Sequence, residues 1–554
     1  GNGLANTGEV LALQIGSTTI DRTPSLNACQ GPWCGGGAGD AYPPYLTMER
    51  FDPYAAGDDP TNWSSWNVNV TLQNGLNEDG ISISGTPGKR NSISYLLKKD
   101  STELTQSRTL TTTMSPYIIY GASRIPPGVT LAIEPGVVIK FASHASLYVD
   151  GILTAEGTDA HPIIFTSLND DTDGGDTNGN ASSTTPAAGD WTGIRINEND
   201  SLFTHTRFRY AGYAVLLDST YLASLRVENA AISITDSTFE YSLRYGMFLV
   251  NTEGDITRNT FQDNTEAGVY IQDGDIVFSN NISRRNRYGL FLISHNESHE
   301  MTIEENTFMD NREDAITVTL ARASFASNTA QGNGTNGIRF STHGFEEDYT
   351  LTRDLPYIFS SKRVAEDATL TIEAGTIIKF TSDGLLSLSG RLISSGTAEN
   401  PVIFTSLHDD DYGGDTNGNA TTTTPAAGDW YSLTFLATAE NSTLTHTKIR
   451  YGGSKFVWVP SGAVRIQDTD ITLDHVTVEQ NYLIGLYLSN SASVILNSTI
   501  RDHTTPVLGF YGGLFLTGEA LPTIATTTFS QNLTHIFKEG GADYVDGGGN
   551  VFGE

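Results

Sequence analysis

The sequence predicts an all-β solenoid built from two duplicated halves. Three observations lead there. First, a long acidic, glycine-rich segment occurs twice. Residues 166–191 read TSLNDDTDGGDTNGNASSTTPAAGDW and residues 405–430 read TSLHDDDYGGDTNGNATTTTPAAGDW, with 239 positions between the central Asp176 and Asp415. Second, helical periodicity is almost absent, and short segments with β-branched or aromatic residues at every second position dominate. Third, a repeat of about 22 residues runs between the two copies, a spacing typical of solenoids.

The alternating segments come in the same order in both halves. The first contains TLAIEPGVVIKF (130–141), SLYVDGILTAEG (146–157) and HPIIFTS (161–167). The second contains TLTIEAGTIIKF (369–380), LLSLSGRLISSG (385–396) and NPVIFTS (400–406). Each half then passes through the acidic segment to GDW and on to LFTHTRFRYAG (202–212) or LTHTKIRYGG (444–453). In the shorter repeat, Phe239, Phe261, Ile282 and Phe308 follow one another at 22, 21 and 26 residues. Asn264, Asn286, Asn311 and Asn333 follow at 22, 25 and 22. Gly246, Gly268, Gly289 and Gly337 open GMFLV, GVYIQ, GLFLI and GIRF. Stacking such units places identical residues at each corner, which predicts asparagine ladders and continuous apolar stacks.

These residues carry a resemblance. The pattern N-x-F/I…N…G-I-x-V resembles right-handed parallel β-helix proteins of the pectin-lyase-like type. The blocks L-T-I-E-x-G-x-x-I-K-F, P-I-I-F-T-S and G-D-W resemble β-helix segments of large bacterial secreted and surface proteins. The resemblance covers residues 108–554 and implies a right-handed parallel β-helix of two halves, 98–350 and 351–554. It leaves function open, because that fold hosts lyases, hydrolases, epimerases, adhesins and structural rods. Residues 1–97 differ. GLANTGEVLALQIGSTTID (3–21), YLTMERFDP (45–53), NWSSWN (62–67) and GTPGKRNS (85–92) resemble the second half of a bacterial lamin-tail-like domain, which implies a partial immunoglobulin-like β-sandwich.

Composition narrows the partners. The 554 residues carry a formal charge of −32, which argues against nucleic acid and anionic membranes and suits a cation-containing extracellular medium. There is no apolar run of the length a membrane helix needs. The two cysteines, Cys29 and Cys34 in CQGPWC, are expected to close a small disulfide loop in an oxidising compartment. Self-association and extracellular polysaccharide are the expected interactions.

The acidic segments are the leading candidate site. The first offers Asp170, Asp171, Asp173, Asp176, Asn178 and Asn180, with Asp190 behind them. The second offers Asp409, Asp410, Asp411, Asp415, Asn417 and Asn419, with Asp429. Clustered carboxylates repel unless a cation neutralises them, and hard oxygen donors favour Ca²⁺ in a structural role. The run D-T-N-G-N places oxygens as an EF-hand loop begins. Ala181 and Ala420 follow where that loop needs glycine, and no Glu closes it, so a compact D-x-N-x-N calcium loop is expected. The competing reading is a solvated excursion whose Asp and Asn cap turns.

No catalytic set is expected. The G-H-G and R-x-K elements of polygalacturonase-like hydrolases are missing. The best local cluster, Arg284, Arg285, Arg287, His295 and His299 with Asp310 and Asp314, reads as charge pairing between neighbouring rungs. His205 and His446 recur in a THT motif, which points to a structural position. Phe248, Tyr270 and Phe291 are expected to form an internal stack. Trp191 and Trp430 are expected to anchor the acidic segments, whereas Trp33, Trp63 and Trp66 are candidates for exposure. The sequence therefore points to a secreted or cell-surface structural or adhesive protein with calcium-stabilised loops. A carbohydrate-active enzyme (lyase or hydrolase) or a carbohydrate-binding module is the alternative.

Overall fold

The computed structural model describes residues 10–25, 28–29, 48–50, 57–65, 103–104, 106–178, 180, 183–198, 200–213, 222–295, 299–453, 462–504 and 512–554. Among them the regular structure is strand, with two short 3₁₀ turns at Pro60–Asn62 and Thr112–Met114. The chain forms two compact units, residues 1–254 with 262–265, and residues 255–261 with 266–554.

The described residues at the start of the first unit form two antiparallel pairs, Ala12–Ile15 with Thr18–Arg22 and Met48–Arg50 with Trp63–Ser65. The rest of the expected partial sandwich lies outside the described residues. Trp63 is buried rather than exposed. Its indole N–H donates to the Gly57 carbonyl at 2.8 Å and the Arg50 guanidinium lies over its ring. Trp33 and Trp66 lie outside the described residues. Cys29 is disulfide-bonded; Cys34 is also outside them.

From residue 108 the first unit is a coil of three parallel sheets. One contains Ala122–Ile125, Ser146–Val149, Gly193–Ile196, Ala223–Glu228 and Tyr245–Val250. The second contains Arg108–Leu110, Thr130–Ile133, Ile152–Glu156, Ser201–Thr204 and Ala231–Thr235. The third contains Tyr117–Ile119, Val138–Phe141, Ile163–Ser167, Thr206–Arg209 and Thr238–Glu240. Successive strands belong to successive sheets, so each turn of chain adds one strand to every wall. Alternation sends Leu147, Val149, Leu153, Ala155, Ile163 and Phe165 inward, and none exceeds 1% exposure. Equivalent inward residues then stack from rung to rung. Phe165, Phe208 and Phe239 lie with ring centroids 4.8 and 4.6 Å apart and nearly parallel planes.

The second unit repeats this plan, and one of its walls runs through eight strands from Tyr349–Leu351 to Val545–Asp546. The predicted asparagine ladders are present. Asn281 donates its backbone and side-chain N–H groups to Asn306 Oδ1 at 2.9 and 3.1 Å, and Asn306 does the same to Asn328. Asn286, Asn311 and Asn333 form a second such ladder. Glycine at Gly289 follows from crowding: a Cβ there would lie 2.4 Å from the Ala315 carbonyl and 2.6 Å from the Phe308 ring.

Two expectations about facing are corrected. Ile282 does not continue the phenylalanine stack. Ser283 pairs with Phe308 and is buried, while Ile282 is 38% exposed. A one-residue slip of register exchanges the two faces of a strand. Tyr270 and Phe291 do stack, with centroids 5.1 Å apart, but on the outer side of the wall. The inward positions are taken by Val269, Ile271, Leu290 and Leu292, all fully buried. Phe248 occupies the outward position of its own strand, between inward Met247 and Leu249, although neighbouring groups cover it.

Candidate functional site

Each acidic segment leaves the wall after a fully buried strand, Ile163–Ser167 or Val402–Ser406, and is held at its entrance by a buried lysine. Lys140 Nζ donates to the carbonyls of Asp170 (2.7 Å) and Gly175 (2.5 Å). Lys379 Nζ donates to those of Asp409 and Gly414, both at 2.8 Å. Both lysine side chains are inaccessible to solvent. Burial pushes the Lys379 ammonium down to about 8, against the pull of Asp409, Asp410 and Asp415, and lowers Lys140 in the same way.

An arginine makes the second tie. Arg209 Nη1 lies 2.9 Å from Asp170 Oδ2 and 2.7 Å from Asp173 Oδ2, and its Nε pairs with Glu240 on the next rung. Arg450 stands similarly toward Asp409, Asp411 and Glu479 at 3.6–3.8 Å. Asp170 is saturated besides. Thr166 Oγ1 donates to its Oδ2, and the Thr172 backbone and hydroxyl donate to its Oδ1. Asp409 accepts from Thr405 and from the Asp411 backbone. Asp170, Asp173, Asp409 and Asp411 thus belong to a network of lysine, arginine and threonine contacts. Reasoning from carboxylate counts missed Lys140, Lys379, Arg209 and Arg450. The repeated I-K-F and R-Y blocks were the signal.

The exit is closed by tryptophan and aspartate. Trp191 and Trp430 are fully buried, and their indole N–H groups donate to the carbonyls of Arg209 (2.8 Å) and Arg450 (2.9 Å). They stack on Phe141 and Phe380 at 3.8 and 4.3 Å. Asp190 accepts from Ser167 and the Ala187 backbone, and Asp429 accepts from Ser406 and the Ala426 backbone. Both tryptophans therefore anchor the segments as expected.

The remaining predicted residues meet in the central turn. Asp176 Oδ1 and Asn178 Oδ1 accept from the Asn180 backbone N–H, and Asn180 Nδ2 donates to Thr184. Asp415, Asn417, Asn419 and Thr423 repeat this arrangement. In both copies the same two buried oxygens have no hydrogen-bond partner: Asp171 Oδ1 with Asn180 Oδ1, and Asp410 Oδ1 with Asn419 Oδ1. Burial raises the Asp410 carboxyl, and the neighbouring Asp415, Asp409 and Asp411 push it the same way. Among the described residues, no three His, Cys, Asp or Glu side chains converge as a metal site. A hard cation in these turns would therefore draw on carboxylate, amide and carbonyl oxygens together, a mixture Ca²⁺ accepts.

The other candidates are dispersed. Arg287 pairs with Glu266 at 3.1 Å across adjacent rungs and lies over the Tyr288 ring. Asp314 pairs instead with Arg339 at 2.8 Å, and His299 faces Asp275 at 3.4 Å. Arg285 and Asp310 sit at left-handed corners, with φ of 54° and 55°. His295 donates its backbone N–H to Asp273 at 2.7 Å, and Arg284 ends the strand Ile282–Arg284. His205 and His446 are single-residue corners between two strands, with φ of 46° and 42°. His446 stacks on His475, the corner of the next rung, at 4.4 Å.

The three-walled parallel coil defines the chain as a right-handed parallel β-helix protein. In agreement, residues 192–353 match a family model described as a right handed beta helix region. No curated protein matches the chain. Solved structures similar to it include the mannuronan C-5 epimerase AlgE6 A-module of Azotobacter vinelandii, at 10% identity over 76% of this chain and 90% of that one, with a TM-score of 0.25. Another is tailspike protein 3 of bacteriophage CBA120, at 11% identity over 80% of this chain and 56% of that one, with a TM-score of 0.21. A third is the catalytic domain of a GH87 α-1,3-glucanase, at 11% identity over 83% and 71%, with a TM-score of 0.17. Likenesses of this size carry no chemistry over. No helix among the described residues is long and apolar enough to cross a membrane.

Proposed function

We propose that this protein is a non-catalytic β-helix of the cell exterior, with a structural or adhesive role in an extracellular assembly, whose twin loops are each ordered by a calcium ion. The observation that supports the reading best is the recurrence of the same pair of unpartnered buried oxygens in both loops. A buried acceptor without a donor is destabilising, and a bound cation supplies the missing partner. Asp171, Asp176, Asn178 and Asn180 would hold one ion; Asp410, Asp415, Asn417 and Asn419 would hold the other.

Calcium at one hundred times its dissociation constant should stabilise a loop by about 2.7 kcal/mol relative to chelator. The melting midpoint of the intact chain should therefore rise on adding calcium. An Asp171→Asn, Asp410→Asn double variant should abolish that rise. An equal midpoint in calcium and in EGTA would sink the calcium assignment.

A second reading, carbohydrate binding, is favoured by the outer face of one wall. Tyr487, Phe515 and Phe537 stack there at 5.5 and 5.0 Å, with the Arg465 guanidinium over the Tyr487 ring; Phe515 itself is buried, so the half-buried Tyr487 and Phe537 are the rings a sugar would meet. Stacked rings beside a cation suit a sugar ring and its acidic substituents. A panel of acidic and neutral polysaccharides separates the readings. The structural reading expects neither new reducing ends nor unsaturated products. Turnover of any member would overturn it and point to a lyase or hydrolase, whereas retention lost in Tyr487→Ala would identify a binding module.

A further inference from the structure

We infer that the second acidic loop is a cation-dependent clamp on the end of an asparagine ladder. This inference rests on the calcium reading above and assigns that ion a task beyond ordering its own loop.

The ladder through Asn286, Asn311 and Asn333 does not pass to another rung. The backbone and side-chain N–H groups of Asn333 both donate to Asn336 Oδ1, at 2.9 Å, only three residues further on. Asn336 in turn donates its backbone N–H to the Thr416 carbonyl at 2.7 Å and its Nδ2 to the Asp415 carbonyl at 2.8 Å. The last two acceptors of the ladder are therefore loop carbonyls, some 79 residues away in sequence. Thr416 is fully buried against this end. The approach is close enough to demand glycine. At Gly418, with φ of +67°, a Cβ would lie 2.4 Å from the Asn333 carbonyl and 3.0 Å from that of Gly334.

The clamp and the candidate ion share one turn. Asp415 and Asn419 contribute side chains to the cation group, while the carbonyls of Asp415 and Thr416 point to the ladder. Asp415 holds the turn by accepting the backbone N–H groups of Asn419 and Ala420. Arg450 offsets Asp409 and Asp411, but without a cation Asp410 and Asp415 repel each other across this turn, so its backbone loosens. Asn336, half-buried, loses both of its acceptors and holds Asn333 less firmly, and an amide left without a partner is destabilising. The ladder should fray from this end inward.

Hydrogen exchange on the full chain tests this, with calcium stoichiometry measured on the same samples by titration calorimetry. Replacing calcium by EGTA should speed exchange of the Asn333–Ile338 amides by about tenfold or more, as expected when a local opening becomes easier. Asp410→Asn should remove one bound calcium and speed the same amides. Asp171→Asn, in the first loop, should also remove one calcium but leave them at their normal rate. Asn336→Ala should speed exchange at Asn333 and make it indifferent to calcium. If calcium fills both loops yet EGTA leaves residues 333–338 unchanged, the clamp is overturned and the calcium reading stands. If no calcium binds, both are overturned.

Discussion

Replacing Lys379 with methionine should lower the stability of the second loop and the wall beneath it by roughly 3 kcal/mol. The estimate follows from orphaning the buried Asp409 carbonyl, at about 1–3 kcal/mol, and from weakening the hold on the Gly414 carbonyl. Methionine keeps the volume and removes the donors, so the Asp409 carbonyl loses its lysine partner and the Gly414 carbonyl keeps only the Thr416 hydroxyl at 3.2 Å. The charge that offsets Asp409, Asp410 and Asp415 disappears as well. Arginine should not rescue the site. Its planar fork cannot fill a pocket shaped for one ammonium with carbonyls at 2.8 Å. The measurement is hydrogen exchange across residues 403–416 with the denaturation midpoint of the intact chain, because solenoids need not unfold in one step. An unchanged midpoint together with unchanged exchange would contradict a structural role for the ammonium. The same change at Lys140 should act on residues 164–177.

His503 should make the last rungs acid-sensitive. It occupies a ladder position: its Nδ1 lies 2.8 Å from Asn532 Oδ1, and its Nε2 lies 3.4 Å from Asn481 Nδ2. The neutral ring fits, donating from Nδ1 and accepting at Nε2. Burial pushes its pKa down to about 4 from 6.5, against the bond to Asn532 and the charge of Glu479. The unfolded chain therefore takes up a proton at a higher pH than the folded one. The stability is fully present above about pH 6.5, declines as pH falls toward 4, and levels off below that. The whole loss is roughly 3 kcal/mol, since each pKa unit corresponds to about 1.4 kcal/mol. Exchange of the Ile500–His503 amides, followed from pH 7 to pH 4, should show it. His503→Asn would restore the usual ladder residue and flatten that profile. A His503→Asn profile identical to the wild type would refute the assignment.

Most of the fold was legible because a solenoid writes its geometry into a period. Asn286, Asn311 and Asn333 recur at the spacing that the ladder requires, and alternation marked the inward Leu147 and Val149. What failed was facing, where both sides of a strand are apolar. Nothing in GVYIQ or GLFLI says that Val269 and Leu290 turn inward while Tyr270 and Phe291 turn out. The slip at Ile282 has the same origin. At the acidic loops, the turn Asp-x-Asn-x-Asn was legible from spacing. The ties through Lys140 and Arg209 were marked only by the repetition of I-K-F and R-Y, because a cation inside an apolar strand otherwise reads as an ordinary outward residue. The contact between Asn336 and Asp415 was out of reach, since no local pattern links such distant positions.

The anchoring of the second loop bears on how the chain meets proteases. Composition marks residues 407–429 as an easy cleavage target, being rich in glycine and threonine and poor in bulky side chains. Yet Lys379 pins the entry, Asn336 grips the middle and Trp430 locks the exit. A long flexible excursion is thereby divided into short tethered spans whose ends are already fixed, so little chain entropy is left to open them. A protease needs an extended substrate strand, and here it must first release an indole or an ammonium from the wall. The segment that looks softest on paper should survive as long as the coil that carries it.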